Sequence, residues 1–455
     1  MDLEGQHIVV VGLARSGLAV ARFLRSRGAR VTITDQATAQ GLGNFVDQAQ
    51  QLGAVLELGG HRDATFDAAE MIVISPGVPH TLPQLEAARR RGVPVIGEVE
   101  LASRFIQTPI IAVTGTNGKT TTTELLGSML AASGMYVFVG GNIGNPLIEI
   151  VDRTAELDMI VAEISSFQLD TVETFRPHVA VLLNISPDHL DRYATLDAYA
   201  ASKGRIFANQ GAEDFAVCHG NDKLVQRQCQ DTAACRLNFF SRPSDNGQLG
   251  QGAVITPLQI AYLMPDGAQG RIDLSRTTLI GPHNRENVAA ASLAALATGA
   301  SLQGIQDALD AFKAPAHRLE PVGTVRGVQF VNDSKATNVD AVMRALECFD
   351  SPVVLIMGGR NKGYDFNTLD AHVRRYVKKL IVIGEAGQEI LSALGSAADR
   401  GSEMASDLDQ AVRKALEVAQ SGEVVLLSPA CASFDMFGSY AERGDKFRQL
   451  VGELT

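Results

Sequence analysis

Short runs of β-branched and aliphatic residues alternate with helix-length stretches along most of the chain, a pattern that predicts repeated β-α-β units. In the first hundred residues the apolar runs fall at 8–11, 31–35, 55–58, 71–75 and 95–96. A second series begins near position 99, with runs at 110–114, 159–163 and 179–185. A third follows position 315, at 328–333, 353–357, 380–383 and 424–427. Runs this continuous belong to parallel strands buried on both faces by helices. Helices are expected over 123–132, 196–209 and 302–312. Between 241 and 275 the chain turns Gly-rich and polar with short alternating pieces, which predicts hairpins decorating the central part.

Three series suit 455 residues at about 150 per domain. Gly97-Glu98 and Lys313-Ala314-Pro315-Ala316 are the expected boundaries, because Pro315 disfavours a helical Ala314. The expectation is therefore an α/β chain of three domains, 1–98, 99–313 and 314–455, the outer two Rossmann-like. No run is long enough to span about 30 Å of hydrocarbon. The first residues are acidic where a secretory signal would be basic.

Composition narrows the partners. Forty Lys and Arg against 51 Asp and Glu give a net charge of −11, which disfavours a nucleic acid as principal partner. Anionic ligands then need a local pocket. Aromatic residues are 5% and Trp is absent, so Val, Ile, Leu and Ala must fill the core. Five cysteines form no CxxC pair, the pattern of reduced thiols in a cytoplasmic protein.

The sharpest motif is Gly115-Thr116-Asn117-Gly118-Lys119-Thr120-Thr121, directly after the strand at 110–114. A glycine turn between strand and helix gathers backbone N–H groups around a polyphosphate. Lys119 would reach the β- and γ-phosphates and the Thr120 hydroxyl a Mg²⁺ ion. The central domain is thus expected to be a P-loop mononucleotide-binding domain, although Val113 stands where the full motif has its first Gly. Two neighbouring strands end in Glu163 and in Asn184 to His189, so Glu163 and His189 can converge on Thr120. At the N-terminus, Gly12-Leu13-Ala14-Arg15-Ser16-Gly17 with a distant Asp35 is a variant dinucleotide turn, and fits any nucleotide diphosphate on a helix N-terminus. Three strand ends in the last third carry Lys335, Lys362 and Ser433, a cationic pocket suited to a carboxylate-bearing molecule. Lys203, alone, reads as a solvated helix residue.

Together these segments resemble the Mur ligase family of ATP-dependent amide-bond ligases. The resemblance runs through nearly the whole chain, including Ser165-Ser166-Phe167-Gln168-Leu169, Asp188-His189-Leu190-Asp191-Arg192-Tyr193, His283-Asn284 to Asn287, His317-Arg318 and Asn332 to Asn338. It implies addition of D-glutamate to UDP-N-acetylmuramoyl-L-alanine through an acyl phosphate, in cytoplasmic peptidoglycan precursor synthesis, with ATP and two Mg²⁺ ions. It assigns the ATP site to Thr116, Asn117, Gly118, Lys119, Thr120, Thr121, Thr122, Asn284, Asn287, Arg318 and Asp333. Metal contacts would be Thr120, Glu163, His189 and a carbamylated Lys203. Arg15, Ser16, Asp35, Ser75, Pro76 and Gly77 would border the UDP moiety, with Asn142 and Ser165 further along that substrate. Lys335, Thr337, Lys362, Ser433 and Tyr440 would bind D-glutamate. Lys119, Lys203, His189 and Arg318 are the catalytic candidates, and a monomer without membrane insertion is expected. The alternatives at this stage are a family member adding a different amino acid, a P-loop ATPase, and a nucleotide-binding oxidoreductase.

Overall fold

The computed structural model describes residues 1–189, 192–241 and 250–454. Among these described residues three sheets are built in sequence. The first has five parallel strands, β1 (His7–Val11), β2 (Arg30–Asp35), β3 (Val55–Leu58), β4 (Met71–Ile74) and β5 (Val95–Gly97), in the order β3-β2-β1-β4-β5. The second has nine: β6 (Ile110–Thr114), β7 (Val137–Gly141), β8 (Met159–Glu163), β9 (Val179–Leu182), β10 (Phe215–His219), β11 (Cys235–Phe240), β12 (Gly252–Ile255), β13 (Gln259–Leu263) and β14 (Gln269–Asp273). Their order is β14-β13-β12-β11-β10-β9-β6-β8-β7, and only β12-β13-β14 pair antiparallel. The third has β15 (Glu320–Val325), β16 (Val328–Asn332), β17 (Val353–Gly358), β18 (Val377–Ile383), β19 (Ser402–Met404) and β20 (Val424–Leu427), ordered β15-β16-β20-β17-β18-β19. Only β15 runs antiparallel there.

Helices bury both faces of each sheet, which is why the strands read as near-continuous apolar runs. β6, β8, β9, β17 and β20 are buried at every position. The Ala-rich run from 289 lies in the helix Pro282–Ala297, whose small side chains pack against the second sheet. In each sheet the strand order reverses beside one central strand. There two neighbouring loops leave in opposite directions and open a crevice at the carboxyl tips.

Several strand readings are corrected. The run at 179–185 leaves the sheet after Leu182, because Asn184 folds back onto the glycine turn. Within 241–275 the expected hairpins form, β12, β13 and β14 pairing antiparallel in turn, but they extend the nine-stranded sheet at its edge rather than decorate it. Residues 242–249 of that segment lie outside the described residues, as do Leu190 and Asp191. The helix expected from Thr123 begins at Lys119, and the one expected to reach Asn209 ends at Gly204 in a tighter turn, Arg205–Phe207.

Candidate active site

The glycine turn sits at the tip of β6, between β9 and β8. Gly118 has φ +87°, and a Cβ there would lie 2.2 Å from Asn287 Oδ1, so only glycine lets the turn approach the helix Pro282–Ala297. Asn184 holds the turn: its Oδ1 accepts the Asn117 N–H at 2.8 Å, and its Nδ2 donates to the Asn117 carbonyl at 3.0 Å. The helix Lys119–Ala132 then starts at this turn with no side-chain cap on its N-terminus, the end of a helix that favours an anion. Thr121 and Thr122 bury their side chains, so only their main chain can serve a ligand.

Cations converge on this turn. Lys119 Nζ donates to the Gly115 and Thr116 carbonyls, each at 2.9 Å. Lys203, 1% exposed, donates to the Gly115 carbonyl at 2.8 Å and lies 4.6 Å from the Tyr199 ring centroid. The solvated reading of Lys203 is therefore wrong. Burial, joined by the Lys119 charge, holds its amine well below the ordinary lysine value. Lys335 crosses from the third sheet, and its Nζ donates to Thr120 Oγ1 at 3.0 Å. Burial, helped by Arg318, lowers it to about 8.

Glu163 ends β8 and is 2% exposed. Its Oε2 accepts from Thr120 Oγ1 at 2.8 Å and its Oε1 from Asn142 Nδ2 at 2.7 Å. Ser165 caps the next short helix in a reciprocal box with Gln168. His189 has φ +54° and lies edge-on to Phe167, 4.7 Å between centroids. Burial lowers its pKa, as do Lys362, Lys119 and Lys203, against the opposing Asp188. Asp188 is itself low despite burial, because His189 and a hydrogen bond from Tyr364 favour its charge. Glu163 and Thr120 form a hard-oxygen pair that fits Mg²⁺, with His189 as a neutral nitrogen on the same loop cluster. Among the described residues no three His, Cys, Asp or Glu side chains group closely enough to hold an ion by themselves.

Behind the turn lies a pocket with about 360 Å³ of open space, lined among others by Asn287, Arg318, Asp333 and Arg344. Asp333 is buried, and burial raises its carboxyl to about 6 against the pull of Arg318. It accepts from Ser428 Oγ at 2.9 Å and from the Leu319 N–H at 3.2 Å. His317 and Leu319, on either side of Arg318, both have positive φ, so strained backbone aims that arginine. Asn284 donates to the Ile280 carbonyl at 2.7 Å and accepts from Asn287 at 3.2 Å.

A second cleft, about 980 Å³, opens at the tips of β1, β2 and β4. Arg15, Ser16, Asp35, Ser75, Pro76 and Gly77 all line it, together with Gln36, His61 and Leu82, which sequence reasoning did not single out. Asp35 is more than a lining residue: its two oxygens accept the Leu13 and Ala37 N–H groups at 2.7 and 2.8 Å and shape the loop. Arg15 reaches Asn145 in the second sheet's edge loop. From the far side, Arg192 donates to the carbonyls of Pro76, Gly77 and Val78 while lying over the Phe167 ring, 4.1 Å from its centroid. The sequence around Arg192 carries no local signal of this contact, because its carbonyl partners lie more than a hundred residues away.

The third group gathers where β16, β20 and β17 end. Lys335, Thr337, Lys362 and Ser433 sit on those three loops, and Tyr440 opens the helix Tyr440–Gly452 with its ring 5.7 Å from Lys335 Nζ. One residue ties the loops together and carried no sequence signal: Arg443, 1% exposed, donates to Ser334 Oγ at 2.9 Å and to the Ser334 and Cys431 carbonyls at 2.9 and 3.1 Å. Cys431 is no nucleophile, since burial pushes its thiol up to about 12. The third lobe also reaches the glycine turn through Asn117 Nδ2, which donates to Asp340 at 2.7 Å.

A phosphate-binding turn flanked by a second cleft and a cationic pocket, each at the tips of its own sheet, defines a nucleotide-dependent ligase that activates one bound substrate and hands it to another. The chain belongs to the Mur ligase family. It matches the Mur ligase middle domain over residues 113–295, the MurD-like N-terminal domain over 6–97, and the glutamate ligase domain over 317–431. It is 51% identical to a UDP-N-acetylmuramoylalanine–D-glutamate ligase of Desulfosudis oleivorans, over 100% of this chain and 98% of that one. A protein of the same name from Desulfatibacillum aliphaticivorans is 52% identical, over the full length of both. The fold is shared with a pseudomurein peptide ligase of Methanothermus fervidus (TM-score 0.61, 18% identity, 99% and 100% covered). It is also shared with the UDP-N-acetylmuramate–alanine ligase of Thermotoga maritima (TM-score 0.59, 18% identity, 99% and 100% covered).

Proposed function

We propose that this ligase uses its three clefts as one reaction path, adding D-glutamate to UDP-N-acetylmuramoyl-L-alanine with ATP converted to ADP and phosphate. The activity is the one named for its full-length relatives. The observation that carries the path is the Lys335 to Thr120 hydrogen bond, which sets the cationic pocket of the third sheet against the phosphate turn.

The UDP group lies in the first cleft, and the sugar and alanine run past Asn142 and Ser165 toward Lys119. The alanine carboxylate oxygen attacks the γ-phosphorus and ADP leaves, giving an acyl phosphate. Two anions approach in this step, and Lys119, Lys335 and Arg318 gather the shared negative charge. Glu163 and Thr120 would hold Mg²⁺, which supplies Lewis-acid neutralisation of the phosphates when bound. Lys362 and Ser433 hold the carboxylates of D-glutamate. Its neutral amine nitrogen then bonds to the acyl carbon, the bond from that carbon to the phosphate oxygen breaks with its electron pair leaving on phosphate, and one amine proton passes to solvent. Lys203 is poised for carbamylation, because burial beside Lys119 favours the neutral amine to which CO₂ adds.

All three clefts come from one chain, which supports a monomer, and no helix among the described residues is long and apolar enough to cross a membrane. We place the enzyme in the cytoplasm, where its nucleotide substrates are made. The test is phosphate release from ATP with UDP-N-acetylmuramoyl-L-alanine and a panel of amino acids. Turnover that requires D-glutamate is the expected result. Turnover with L-lysine or diaminopimelate instead would overturn the acceptor assignment.

A further inference from the structure

The loop after β17 carries Lys362 and, two residues later, Tyr364. The tyrosine ring belongs to the apolar core of the third sheet, 4% exposed among residues that include Phe366 and Leu369. Its hydroxyl leaves that core and donates to Asp188 Oδ1, in the loop after β9 of the second sheet. The other Asp188 oxygen accepts from Asn338 Nδ2 at 3.4 Å, so two loops of the third sheet meet one carboxylate. Asn361 fixes the turn between Lys362 and Tyr364. Its Oδ1 accepts the Tyr364 N–H at 2.9 Å, and its Nδ2 donates to the Tyr364 carbonyl at 3.1 Å and to Glu389 at 3.0 Å.

A buried ring has two side-chain torsions, so the reach of its hydroxyl is set by the sheet that holds it. Wherever the hydroxyl meets Asp188, Lys362 is placed relative to His189, the residue next to Asp188. The glycine turn is joined to the third lobe by Lys335 to Thr120 and Asn117 to Asp340, and Asn338 Nδ2 bridges the two sides, donating to Asn117 Oδ1 at 3.3 Å as well as to Asp188. Of these contacts, the Tyr364 bond is the one made from the loop that carries Lys362.

We propose that Tyr364 is a positioning residue for the second half-reaction, latching the third lobe onto the loop after β9 so that Lys362 presents the amino acid to the activated acid. The inference rests on the D-glutamate ligation proposed above. A phenol-to-carboxylate bond out of water is charge-assisted, and its loss leaves the ring packing intact.

The test is Tyr364→Phe in the full chain, with steady-state kinetics in all three substrates. Melting temperature and small-angle scattering with saturating ligands accompany it. The expected result is a rise of roughly 10- to 100-fold in KM for D-glutamate. KM for ATP and for the UDP substrate stays within about threefold, and the melting temperature within about 2 °C. Phosphate release should exceed amide formation, since a misplaced amine leaves the acyl phosphate to water. The liganded variant should also have a larger radius of gyration than the liganded parent. An unchanged D-glutamate KM with full coupling overturns the latch. So does an equal rise in all three KM values with a lowered melting temperature, which would make Tyr364 merely structural. If the parent enzyme itself shows no D-glutamate turnover, the ligation reading fails. The scattering comparison then judges the latch alone, and identical radii reject it.

Discussion

Arg192→Lys isolates the link between the first cleft and the catalytic loop. The guanidinium donates to Pro76 and Gly77 carbonyls at 3.3 and 3.4 Å and to Val78 at 3.1 Å, and its carbon lies over Phe167, 4.1 Å from the ring centroid. Residues 75–79 form one wall of the cleft, so the arginine holds that wall from behind. Lysine keeps the charge but offers neither a fork nor a flat face. It can retain one of the carbonyl contacts. Losing two contacts at about 1 kcal/mol each and a stacking term of about 0.5 kcal/mol removes about 2–3 kcal/mol. Shared between folding and binding, that loss caps the rise in KM for the UDP substrate at roughly 100-fold, with 30-fold expected. The assay is KM for each substrate with the other two saturating, beside calorimetric titration with the UDP substrate alone. ATP and D-glutamate should keep their KM values within about threefold. A UDP-substrate KM within threefold of the parent would refute the link, and so would equal rises for all three substrates.

Gly118→Ala must pay for a left-handed alanine, about 1–2 kcal/mol, and for displacing Asn287 from a 2.2 Å overlap. It should raise KM for ATP at least tenfold, and an unchanged KM would show that the turn relaxes freely. Lys203→Ala should abolish turnover and regain part of it with added short carboxylates, which tests the carbamate; full activity in the variant would remove Lys203 from the chemistry. Lys335, at about 8, should take up a proton when the triphosphate arrives, because an anion raises a lysine pKa. Calorimetric titration of ATP at pH 8 in buffers of different ionisation enthalpy should show uptake that fades near pH 6, where Lys335 is already charged; proton release at pH 8 would contradict it.

Most of the fold was legible because buried parallel strands are written in Val, Ile and Leu. The strands that went unread break that rule for visible reasons. β7 ends in Gly140-Gly141, where a Cβ on Gly141 would lie 2.5 Å from the Glu163 carbonyl, so close strand approach has replaced side chains. β10 and β11 mix Cys, His, Arg and Asn with aromatic residues, and β15 carries Pro321 and Gly323 at an irregular edge pairing. The site divides in the same way. Local devices could be read directly: the glycine turn, the acid ending β8 and the lysines ending the third set of strands. Residues whose work depends on a distant partner could not. Arg192 needs the turn at 76–78, Tyr364 needs Asp188, and Arg443 needs three loops, none of them near in sequence. Burial is the other blind spot: Lys203 reads as a surface residue until the loop after β6 is folded against its helix.

The electrostatics explain why the three lobes need one another. The chain carries −11 overall, yet Lys119, Lys203, Lys335 and Arg318 converge on one crevice. Burial lowers the lysines and neighbouring cations lower them further, while the hydrogen bonds they make go to neutral carbonyl and hydroxyl oxygens. Glu163 and Asp188 are the anions that act most directly on this group, and each is shared with other donors. On the proposed reaction path, the triphosphate, the alanine carboxylate and the acceptor's carboxylates supply the missing negative charge. Lys335 and Lys362 ride on the third lobe, so bringing that lobe in without its anionic ligands adds like charge to the centre. On the proposed reaction path, ligand binding and closure are coupled by the same charges that drive the chemistry.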